Sequence, residues 1–171
     1  LHEAKEKGIP TLGIVNVVGS TLSRETDAGV YQHAGPEVAV ASTKAFVSQI
    51  GVLALLTLYF GRKRTLSLVM GKRIAEELQK IPDLLERVLE RENRIRELAE
   101  KYQYAKNFFF LGRKYHYPIA LEGALKLKEI SYVHAEGYRG GELKHGVIAL
   151  IDKNFPSFVI APRDSVYEKM I

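Results

Sequence analysis

Glu122, Lys126 and Glu129 stand four and three residues apart in a stretch from Pro118 to about Val133 that is dense in Ala, Leu, Lys and Glu. No proline interrupts it, and Pro118 suits a first helical turn, so the stretch predicts a helix. At about 100° per residue the three charged side chains fall within a roughly 60° sector of its surface. Two kinds of chemistry suit such a face. Solvent-exposed Glu to Lys pairs would contribute a few tenths of a kcal/mol each. A partly buried carboxylate beside a lysine would instead be tuned as a general base. The neighbours favour the second, because Gly123 and Ala124 are small and Leu121, Leu125, Leu127 and Ile130 are apolar, leaving little room for a broad solvated side. A Gly-rich turn follows and closes on His145, an imidazole that titrates near neutrality. Between Lys144 and Gly146, a lone histidine is by itself more often a surface or capping residue.

Two stretches carry a family resemblance. ALEGALKLKEISYVHAEGY followed by GELKHG, and upstream AGPEVAVASTKAF from Ala34 to Phe46, resemble the isomerase half of the glucosamine-6-phosphate synthases, the glutamine:fructose-6-phosphate aminotransferases. The first stretch is similar to their second sugar-isomerase (SIS) subdomain and the second to the end of their first. The resemblance implies conversion of fructose-6-phosphate and ammonia to glucosamine-6-phosphate. It makes Glu129 the carboxylate that carries a proton between C1 and C2, Lys126 the group that moves protons among sugar oxygens, and His145 an aid to ring opening. In the family that histidine reaches into the neighbouring subunit's site, which implies a homodimer with composite sites. Val40 and Ser42 match positions beside the sugar phosphate, and Glu122 joins the substrate-binding set. A parent glutaminase domain is implied as well, whose cysteine chemistry a chain without cysteine does not perform. The relatives' phosphate-holding Ser/Thr loop and Schiff-base lysine find no counterpart, so the chain alone is expected to be catalytically weak or dead. Arg139, where the relatives commonly have a small apolar residue, and Val147, where proline is usual, depart from the pattern.

Composition bounds the remaining readings. The chain has 171 residues, 46% of them hydrophobic, and a formal charge of +5 with no docking motif or basic face for nucleic acid. His33, His116 and His134 show no metal-ligand spacing, and neither metal nor cofactor is expected. The longest apolar stretch, Ala45 to Phe60, falls short of the roughly 20 residues of a spanning helix and predicts a helix buried on most sides. The chain opens on His2, Glu3, Lys5, Glu6 and Lys7 rather than an apolar leader, so a cytoplasmic protein is expected, with no membrane partner.

The elements that must position these residues read as α/β. Thr11–Val18 predicts a strand buried on both faces, Ala28–His33 a second, and Ser42 or Thr43 an N-cap for the apolar helix beyond, whose free amides suit a phosphate or a sugar hydroxyl. Residues 71–106 repeat apolar positions at three- and four-residue spacing, with Pro82 dividing two helices. NFFFL, Asn107–Leu111, predicts a buried strand ending at Gly112-Arg113, and ligands bind at strand carboxyl ends, making Arg113 a candidate substrate neighbour. Phe158–Ala161 predicts a last strand and Asp164 the start of a last helix. The expected fold is therefore a SIS-type parallel-sheet sandwich with flanking helices, present as incomplete halves of two subdomains, 1–70 and 107–171, joined by a helical connector, 71–106. Another SIS amino-sugar-phosphate isomerase or deglycase, or a non-catalytic sugar-phosphate sensor, stays open as an alternative; a pure sensor would have no need of a general base.

Overall fold

Two compact units divide the chain, Leu1–Glu90 and Arg91–Ile171. The computed structural model describes all of residues 1–171. The division falls inside the helical passage 71–106.

The first unit opens with a short helix, α1 (His2–Glu6), and then β1 (Leu12–Val15), α2 (Thr21–Glu25) and β2 (Ala28–Tyr31). The two strands run parallel, from Leu12 opposite Ala28 to Val15 opposite Tyr31. The expectation of a strand buried on both faces is corrected here: Val15 is 8% exposed but Leu12 is 58% exposed, and β2 is exposed throughout. A two-stranded sheet has too few neighbours to cover both faces. Ser20 caps α2 by accepting the Ser23 N–H at 3.3 Å. Three helices follow: α3 (Lys44–Arg62), α4 (Leu68–Gln79) and α5 (Ile81–Leu89). Pro82 stands in the first turn of α5, where its missing N–H costs nothing.

Helix α3 overturns two expectations. It runs 19 residues, long and apolar enough to cross a membrane by length and composition. It is also not buried on most sides, since Val52 alone is buried and Leu53, Leu55 and Tyr59 are half-exposed. Within this unit its helical neighbour is α4, which covers one stripe of an all-round apolar surface.

The second unit begins with α6 (Glu92–Tyr102), whose polar face is laced by Arg94–Glu97 and Arg96–Glu92 pairs at 2.7 Å. Then come β3 (Asn107–Gly112), α7 (His116–Ser131), β4 (His134–Arg139) and β5 (Ser157–Val159). The sheet order is β4-β3-β5, all parallel, with Asn107 opposite His134 and Phe109 opposite Ser157. Its core is built on Phe109, fully buried, with Leu111, Ala120, Ala124 and Ala135. The Phe109 ring stacks on Phe155 at 4.3 Å and meets Tyr138 edge-on at 5.3 Å. Small residues let α7 lie close on the sheet: a Cβ on Gly123 would sit 2.9 Å from the Phe110 ring.

Strand β4 lies where only a helix end and a Gly-rich turn were expected. The helix expected from Asp164 is instead a single 3₁₀ turn, Tyr167–Lys169. Asp164 spends its carboxylate on a local turn, accepting the Val166 N–H at 2.9 Å.

Candidate functional site

The small face of α7, Ala120, Gly123 and Ala124, is the face laid on the sheet. Helical periodicity then turns Glu122, Lys126 and Glu129 away from it. The small neighbours expected to crowd the charges face the opposite way, yet the charges are partly buried, as expected. Lys126 Nζ stands 3.1 Å from Glu122 Oε1 and 3.1 Å from Glu129 Oε2, bridging the two carboxylates. The three side chains are 22–32% exposed. The bond to Glu122 leads in raising the Lys126 ammonium above its ordinary pKa; desolvation opposes it, and the bond to Glu129 adds to the rise. At neutral pH Lys126 is therefore a charged hydrogen-bond donor shared by two carboxylates.

Val40 and Ser42 lie in the first unit, in the loop that leads into α3. Val40 is 90% exposed. The N-cap position falls on Thr43, but its side chain makes no capping bond. Glu37, six residues upstream, does that work: its Oε2 accepts from the Thr43 N–H at 3.2 Å and the Ala45 N–H at 3.1 Å. Both hydroxyls also turn to it, Ser42 Oγ at 3.4 Å and Thr43 Oγ1 at 3.3 Å. The Ala45 amide, ahead of the Thr43 donors, holds the Glu37 carboxyl below its ordinary pKa. Two of the amides expected to be free for a ligand, those of Thr43 and Ala45, are thus bonded within the chain. No fixed spacing announces a cap from so far upstream, so the sequence offers no signal for Glu37.

Arg113 follows β3, and its guanidinium lies on the turn after β4, where a Cβ on Gly141 would come within 2.8 Å of Nη2. Lys126 lies ten residues along α7 from His116, about 15 Å at 1.5 Å per residue. The structure therefore leaves Arg113 apart from the carboxylate–lysine set. His145 is 64% exposed and faces Glu142 at 4.0 Å. It makes no hydrogen bond or ion pair with Glu122, Lys126 or Glu129.

A further polar row was not foreseen. Along one face of β4, Tyr138 Oη donates to Glu136 Oε2 at 2.5 Å, and His134 stands 3.3 Å from Glu136 Oε1 and 3.1 Å from Asn107 Oδ1. Tyr138, then His134, lower the Glu136 carboxyl, and Glu136 in turn raises the Tyr138 phenol. The alternation His134, Glu136, Tyr138 is the only trace of this row in the sequence.

Comparison with known proteins places the chain in a family. The model of the SIS domain matches residues 1–59 and 101–170. The chain belongs to the SIS domain family. Among SIS relatives, a glutamine–fructose-6-phosphate aminotransferase (isomerizing) of Chlorobaculum tepidum is 54% identical over 171 residues, 100% of this chain and 28% of that protein. The solved C-terminal domain of glucosamine-fructose-6-phosphate aminotransferase from Francisella tularensis matches with a TM-score of 0.95 at 43% identity, over 99% of this chain and 48% of that one. A glucosamine-6-phosphate deaminase from Thermotoga maritima matches with a TM-score of 0.69 at 25% identity, over 96% and 49%. The SIS-type helix and parallel-sheet architecture expected from the sequence is the one these neighbours share. The chain spans 28% of the length of the curated relative, so it corresponds to part of the isomerase region of such a protein.

Proposed function

We propose that this chain supplies the proton-transfer part of a SIS isomerase site that converts fructose-6-phosphate and ammonia to glucosamine-6-phosphate. The observation that carries the reading is the Lys126 ammonium held between Glu122 and Glu129 on the face of α7 turned away from its own sheet. Ammonia adds at the C2 carbonyl and water leaves, giving a C2 imine. A proton is then taken from C1 as the imine nitrogen gains one, giving a C1–C2 enolamine, and a proton is returned to C2 as O1–H loses one, leaving the 2-amino aldose. Glu129 carries that proton. Lys126 moves protons among the sugar oxygens, its ammonium head placed by the two carboxylates. Glu122 fixes the lysine head and contacts substrate, and Val40 and Ser42 are substrate-binding residues of the first unit. The exposure of His145 supports its assisting ring opening in the site of a second copy within a homodimer. The ammonia comes from a glutaminase domain of the parent protein, the setting is cytoplasmic, and the chain by itself does not turn over.

Calorimetric titration of the 171-residue chain with fructose-6-phosphate and glucosamine-6-phosphate tests this reading. Binding of both, weakened about tenfold by Lys126→Met, is expected. A folded chain that binds neither, or binds equally well without Lys126, overturns it. In a protein of the relatives' full length, Glu129→Gln lowers turnover roughly a thousandfold while substrate still binds. The likeness to a glucosamine-6-phosphate deaminase favours a second reading, release of ammonia from glucosamine-6-phosphate. Ammonia formed from glucosamine-6-phosphate, with no amino sugar formed from fructose-6-phosphate, would select it.

A further inference from the structure

The carboxyl ends of β3 and β4 gather cations that the proposed sugar chemistry does not use. Arg113 follows β3, Lys114 comes next, and Arg139 ends β4, opposite Gly112 in the register. Together with Gly141, Glu142 and Val166 they line a cavity of about 240 Å³. None of the three cations forms an ion pair. Arg113 Nε is buried without a hydrogen-bond partner, and the rest of its guanidinium has no protein acceptor either. Arg139 stacks on the Tyr117 ring at 5.0 Å, and Lys114 Nζ donates to Ser165 Oγ at 2.6 Å. The single carboxylate on the cavity wall, Glu142, lies 4.0 Å from the His145 ring, and the nearby Asp164 faces His116 at 3.8 Å. The backbone is shaped to the same end. The Arg113 guanidinium packs on Gly141, where a Cβ would lie 2.8 Å from Nη2, and Lys114 adopts φ 49°, a left-handed conformation unusual for a residue with a side chain. Strand carboxyl ends in an open parallel sheet are where ligands bind. The Glu122–Lys126–Glu129 set lies farther along α7.

We propose that Arg113, Lys114 and Arg139 form a second, separate anion site at the ends of β3 and β4, which takes the phosphate group of a small phosphorylated ligand. A planar guanidinium with open N–H groups matches phosphate oxygens in pairs, and Lys114 adds a point charge at the rim. The site stands independently of the sugar chemistry proposed above.

Backbone amide spectra of the 171-residue chain, titrated with inorganic phosphate and separately with fructose-6-phosphate against sodium chloride at equal ionic strength, test this. Saturable shifts at Lys114, Gly140 and Gly141 are expected with both. Arg139→Ala should weaken them about tenfold, the loss of one charge-assisted contact. Lys114→Gly should weaken phosphate binding while leaving the fold intact, because glycine adopts that backbone freely. Saturation by the sugar phosphate alone assigns the site to a phosphorylated sugar. Shifts absent at these amides with both probes, or unchanged in the two variants together, overturn the site. Shifts at Lys126 and Glu129 report the other site, so the two readings fail separately.

Discussion

The bridge at Lys126 illustrates how a charged cluster is told apart from ordinary surface decoration. Its energetic worth is small, because all three side chains keep a fifth to a third of their area in water. Lys126→Met should therefore cost at most about 1 kcal/mol in denaturant unfolding. A much larger loss would mean that the lysine is there to hold the fold. The raised pKa gives the sign of the pH dependence: the folded state binds the Lys126 proton more tightly than the unfolded chain does. The bridge's contribution is complete below the ordinary lysine value of 10.5 and is lost as alkaline pH passes through the folded value. Residue spacing alone made this cluster legible, since 122, 126 and 129 must share a helical face. Spacing was silent on which way that face points, which depends on the close fit of Gly123 against Phe110.

Among the elements, α7, β3 and the helix break at Pro82 were readable because apolar periodicity, strand composition and proline each act locally. Strand β4 was not. His134, Glu136, Gly137 and Arg139 are poor strand formers, and the segment is a strand because all six of its residues align with β3. The start of α3 was placed correctly, with Thr43 at the N-cap position, but the group that caps it was not. Ser42 and Thr43 have the composition of caps, yet their hydroxyls are drawn to Glu37. Glu37→Ala should speed amide exchange at Thr43 and Ala45 and fray the first turn of α3, as hydrogen exchange would show. Because the Glu37 pKa is lowered, its support for that turn is present above the ordinary carboxyl value of 4.5 and is lost as pH falls through the folded value. Exchange at Thr43 and Ala45 that ignores acidification would mean that the carboxylate is not the cap.

Across the whole molecule the core is unevenly shared. Val15, Ala41 and Val52 are the buried apolar residues of the first unit, while the second holds Phe109, Leu111, Ala120, Ala124 and Ala135. Amides of β3, α7 and β4 should therefore exchange at least about tenfold more slowly than those of β1 and β2. Equal protection would show that the two units open as one. Charge is shared unevenly too. At the ends of β3 and β4, cations stand without carboxylate partners, whereas the positive end of α3 carries its own permanent counter-ion in Glu37. A helix start that already holds an anion has little attraction left for another. Glu37→Ala would therefore leave the start of α3 more attractive to an anion than it is with the carboxylate in place.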